Sequence, residues 1–125
     1  MMDQPSMLEL VGAVRDFLEQ RAMPELKGHT AFHARVAANA LGIVARELEH
    51  GAAAGEAERA RLAELLGRDG ALIDLNRELC AAIRAGALGL ETPGLTEHLT
   101  LTTSDKIGID QPNYGGLKRL LAGGA

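Results

Sequence analysis

The chain has 125 residues, 46% of them hydrophobic and 24% charged, with a net charge of −4. That balance suits a folded globular chain rather than a disordered one, and its acidity argues against a nucleic-acid partner, because neutralising phosphates takes a basic face. Two Phe, one Tyr and no Trp leave no stacking platform for single strands, and the single Cys80 rules out an intrachain disulfide or a thiolate metal cluster.

Leu and Ala dominate, which favours helix over sheet. In "SMLELVGAVRDFLEQRAM", Ser6 and Glu9 have the spacing of a capping box, and Leu10, Val14, Phe17 and Leu18 recur at helical spacing. Pro24 is expected to interrupt this helix and Gly28 to punctuate again. Thr30 is the expected N-cap of a second helix, which runs to about His50 with Gly51 as its stop. "AAAGEAERARLAELLG" predicts a third, with Leu62, Leu65 and Leu66 inward and Glu56 and Glu58 on the solvent face. Gly67 and Gly70 break it. "ALIDLNRELCAAIRAG" predicts a fourth, with Leu72, Leu75, Leu79 and Ile83 on one stripe, Cys80 beside them as a small core residue, and Gly86 as terminator. A loop to Gly94 leads to a fifth helix from Leu95 to about Ile109, weakened by Thr100, Thr102 and Thr103. "DQPNYGG" is a turn, and "LKRLL" a last short helix.

No strand-period run and no long repeat appears. The expectation is one domain over residues 1–125, all-α, a compact bundle of five to six helices with short loops. No segment approaches the roughly 20 apolar residues that span a bilayer, and "MMDQPS" lacks the basic start and apolar run of a signal peptide. A cytoplasmic location is expected, with no membrane partner.

The second helix carries the unusual residues. At about 100° per residue, Phe32, Val36, Ala40, Ile43 and Val44 sweep a broad apolar sector, expected to be core. Arg35, Asn39 and Arg46 share a narrow polar stripe. With Lys106 and Tyr114 they are the candidate ligand or partner surface, the alternative role being an anion clamp of two guanidinium forks for a CoA-type or phosphate group. His33 and Glu47 fall inside the apolar sector, where ionisable groups need partners, and Asp110 is grouped with them as a structural polar cluster. His29 and His33 have the i,i+4 spacing of two metal-ligating imidazoles, with His98 or Asp105 as a third ligand to complete a site. The residue after His29 is Thr30, not the Glu of the zincin pattern, so no metal and no cofactor is expected. No phosphate loop, nucleophile elbow or kinase signature is present, and no catalytic residue is assigned.

"GHTAFHARVAANALGIVAREL" followed by "DKIGIDQPNYGG" resembles a bacterial family of small helical domains. The likeness runs from the "MLELVGAVRDFLEQ" helix to Tyr114 and is carried by Phe32, His33, Arg35, Val36, Ala37, Asn39 and Leu41, then by Lys106, Ile109, Asp110, Pro112 and Tyr114. His29 and Asp105 depart from it. The resemblance implies a neighbourhood of aminoglycoside-phosphotransferase-like kinases and acyl-CoA dehydrogenases, and some members take a phosphotransferase-related label from it. This chain has none of a kinase's phosphate-binding parts. The expected function is a non-enzymatic accessory or interaction module linked to acyl-CoA or other small-molecule metabolism. Its expected partner is a protein, either a neighbouring gene's product or a second copy forming a homodimer.

Overall fold

The computed structural model describes residues 3–123, and every regular element among them is helical. The all-α expectation holds. The chain divides into two compact units, Met1–Gly51 and Ala52–Ala125.

In the first unit, α1 (Met7–Phe17) opens with the expected capping box. The Ser6 amide donates to Glu9 Oε2 at 2.7 Å and the Glu9 amide to Ser6 Oγ at 3.2 Å. Hydrogen bonding from the Ser6 backbone amide, and then from its side chain, holds the Glu9 carboxyl below its usual pKa. Pro24 does not end this helix where it was expected to. Hydrogen bonding continues through a widened π turn, Leu18–Ala22, into Met23–Glu25, and the backbone turns extended only at Leu26. The wide turn precedes the position where a proline ring would crowd the preceding carbonyls of a regular helix.

The second helix, α2 (Gly28–Arg46), starts earlier than expected: Lys27 is its N-cap, without a side-chain bond, and Thr30 lies inside. Nor does Gly51 stop it, since a second π turn occupies Glu47–Gly51. α1 packs on α2 through small residues. The buried positions of α2 are Ala34, Ala38 and Gly42, and Arg15 lies so close over Gly42 that a Cβ there would stand 3.3 Å from its guanidinium. Val11 and Leu18 are half-buried on the α1 side.

This corrects the expected core. Phe32 is 61% exposed and Val36 48%, Ala40 is exposed, and Ile43 is only half-buried. At 100° per residue the large apolar stripe lies roughly opposite the Ala34–Ala38–Gly42 stripe. Both faces of α2 are apolar, and the one that takes a neighbour is the one whose small side chains let two backbones approach closely.

The second unit holds α3 (Ala52–Leu66), α4 (Leu72–Arg84), α5 (Leu95–Asp110) and α6 (Gly115–Gly123). Its core is Leu62, Leu75, Leu79 and Leu95, with Leu65, Leu66, Leu72 and Leu88 packed around them. Burying one such Leu side chain is worth about 1.5–3 kcal/mol. Gly67, at φ 69°, terminates α3 in the left-handed region open to glycine. Around this turn Arg59 on α3 bonds Glu56 and Asp69, and Arg68 bonds Glu78. Gly94 caps α5 at φ 84°, beside Leu65. Two expectations for α4 are corrected: Cys80 is exposed rather than core, and Ile83, near the end of the helix, is 40% exposed.

Candidate functional site

The inner faces of α3 and α5 are not purely apolar. On α3, Glu58 shares a stripe with Leu62 and Leu65 and is buried, against the expectation that it faces solvent. On α5, Leu95, His98 and Thr102 recur at i, i+3 and i+7, and all three are buried. Threonines that weaken α5 as a helix include one that supplies a buried acceptor.

These groups are partly satisfied among themselves. Asn76 Nδ2 on α4 donates to Glu58 Oε1 at 2.9 Å, and Lys106 Nζ lies 3.8 Å from the same oxygen. Arg61 donates through an Nη to Thr102 Oγ1 at 3.2 Å and sits 3.9 Å from Asp105 Oδ2. Two buried atoms have no hydrogen-bond partner among the described residues: Arg61 Nε and His98 Nδ1. Arg61 and His98 also line a cleft of about 500 Å³, walled by Leu65, Thr92 and Pro93 and rimmed by Glu64 and Glu97.

Burial lowers the His98 pKa from 6.5, and the Arg61 charge lowers it further; Glu58 opposes and Lys106 adds to the shift. The unfolded chain therefore takes up a proton at His98 more readily than the folded chain. Its contribution to stability is complete above about pH 6.5 and is lost as pH falls below that value toward the lowered folded pKa. Urea midpoints should drop between about pH 7.5 and pH 5.5, and the drop should shrink in His98→Gln. An equal drop in both proteins would assign the pH dependence to other groups.

The residues singled out from sequence lie as follows. Arg35 and Asn39 are exposed on α2, and Arg46 is half-buried near Arg15, both guanidinium groups reaching Gly42. Lys106 Nζ lies 3.8 Å from Glu58 Oε1. Tyr114 is half-exposed and lines an apolar groove of about 490 Å³ with Leu99, Ile107, Leu117 and Leu120. His33, Glu47 and Asp110, expected as a structural polar cluster, are each exposed; Asp110 accepts from Gln111 Nε2 at 3.3 Å. His33 packs edge-on against the Phe32 ring, centroids 5.6 Å apart. Among the described residues no group of three His, Cys, Asp or Glu is placed to hold a metal, and no helix is long and apolar enough to cross a membrane.

The first unit presents a second feature, on its outside. Met7, Leu10, Val14 and Phe17 on α1 are 42–58% exposed, and Phe32, Val36 and Val44 on α2 are 44–61% exposed. On α1 these residues repeat at intervals of three, four and three and on α2 at four and eight, so each helix carries an outward apolar stripe.

A small all-helical domain with a polar interior in one unit and apolar outer stripes in the other is the class these features define. The chain belongs to the family described as a domain of unknown function, DUF6285, whose model matches residues 24–114. The match takes in α2 and continues to Tyr114. No curated protein and no solved structure matches the chain.

Proposed function

We propose that this protein is a non-catalytic helical module that binds another protein chain through the outer face of its first unit. One observation carries the reading: the largest apolar side chains of α1 and α2, Phe17 and Phe32 among them, point outward while Ala and Gly fill the helix–helix contact. Exposed apolar patches on small domains mark interaction surfaces. Aromatic side chains of this kind are the anchors that contribute most to association. The link to acyl-CoA metabolism implied by the family resemblance names the enzymes to try first as partners.

The test is capture of a protein by the immobilised full chain from cell extract, or its own self-association, compared with a Phe17→Asp, Phe32→Asp variant. Both substitutions fall at exposed positions, so helicity and melting should be preserved. Binding should fall at least about tenfold. Equal retention by both proteins, or none by either, refutes the reading.

A further inference from the structure

We infer that the partner seated on the outer face of α2 is a second copy of this chain, its α2 antiparallel to the first across a two-fold axis at Ala40. The inference rests on the reading of the outer face as a protein-binding surface and names its occupant.

The argument begins with spacing. His33, Val36, Ala40, Val44 and Glu47 follow one another at intervals of three, four, four and three. All five are exposed; the first four fall on the face of α2 turned away from α1, and Glu47 follows at the start of the π turn that continues it. Intervals of three and four place them in one seam of the kind that joins two helices. The order of intervals reads the same from either end, with Ala40 at its centre.

A two-fold axis makes a surface bind itself, so whatever stands on one side of the axis meets what stands at the same distance on the other. Around Ala40 the correspondence is chemical as well as geometric. Val36 of one copy meets Val44 of the other, and the two are 48% and 44% exposed, so both have comparable surface to cover. His33 of one copy meets Glu47 of the other, and an imidazole N–H can donate to a carboxylate whether the ring is neutral or charged. Ala40 meets its own counterpart, and a methyl group at the axis lets the backbones approach closely. Arg35 and Arg46 lie off this seam, so no like charges are forced together. Parallel pairing would set Glu47 against Glu47 instead.

Pairing of this kind also accounts for two polar groups on an apolar face. Among the described residues neither His33 nor Glu47 has an ion-pair partner within its own chain: both are exposed, the His33 ring edge-on to Phe32 and the Glu47 carboxylate beside Gly51. The seam is short: the fourteen steps from His33 to Glu47 rise about 21 Å. It belongs to the small, reversible class of interfaces, in which a dimer forms in about the micromolar range.

Sedimentation equilibrium on the purified full chain tests this. The wild type should show a concentration-dependent dimer, and Ala40→Arg, which sets two cations together at the axis, should weaken it at least about tenfold with unchanged circular dichroism. Register is read by a mixing experiment. His33→Glu faces Glu47 of its partner and should lose self-association, whereas an equal mixture of His33→Glu with Glu47→Lys should regain a dimer, because one His33 site then faces a lysine. A wild type that stays monomeric toward roughly millimolar concentration overturns the inference. So does a dimer indifferent to Ala40→Arg, or a mixture that restores nothing. Capture of a different protein that is lost with Phe17→Asp, Phe32→Asp, by a chain that is itself monomeric, overturns this inference alone and leaves the proposed function standing.

Discussion

Replacing Leu62 by Ala should lower the unfolding free energy of the second unit by about 2–5 kcal/mol. Leu62 is fully buried and belongs to a cluster in which large aliphatic side chains of three helices, α3, α4 and α5, come together. Truncation removes the transfer energy of the deleted carbons and leaves a void. Its lining includes Leu75 and Leu79 on α4 and Leu95 on α5, two helices that cannot both close the gap. The same truncation at Leu90, which is 89% exposed, is expected to stay within about 0.5 kcal/mol. Urea titrations of the two variants give the comparison directly. A loss below about 1 kcal/mol at Leu62 would place the main core of this unit elsewhere.

The second large effect reverses the usual order of residue size. Ala38→Leu should destabilise the first unit by about 1–3 kcal/mol, whereas Phe32→Ala should cost no more than about 0.5 kcal/mol in dilute solution. Ala38 is 1% exposed on the face where α2 meets α1, and three added carbons have no room there without parting the helices. Phe32 is 61% exposed and loses little cover when cut back. A core phenylalanine would instead cost about 3–5 kcal/mol. Chemical denaturation of both variants at low protein concentration separates the cases. A costly Phe32→Ala beside a silent Ala38→Leu would mean that the large apolar stripe is the inward one after all.

Helix existence was legible from local signals, because each signal acts locally. The Ser6–Glu9 box, Gly67 at the end of α3 and the Leu62, Leu75 and Leu79 stripes all appear in the structure as the sequence implies. Helix facing was not legible for α2. Its pattern is apolar on two sides, and hydrophobicity alone ranks the side bearing Phe32 and Val36 above the side bearing Ala34 and Ala38. Burial went the other way, since what decides a close helix pair is how nearly the backbones can approach. The buried polar group was hidden for a related reason. Glu58 and His98 fall on inward stripes, but a charged residue inside a stripe lowers the contrast between the two faces and so conceals the stripe it belongs to. Spacing was the signal that could have found them: Glu58 stands four residues before Leu62, and His98 three after Leu95.

Leucine contacts between two helices tolerate sliding, because one aliphatic group replaces another after each turn. The α3–α5 pair carries marks that do not repeat. Arg61 meets Thr102 and Asp105, while Glu58 meets Lys106 and, on α4, Asn76. A shift of α5 by one turn, about 5.4 Å along its axis, would carry Thr102 and Asp105 away from Arg61 and Lys106 away from Glu58, leaving Glu58 with Asn76 alone. Those polar groups thus act as a vernier between the helices, making one axial setting acceptable where an all-leucine seam would offer several.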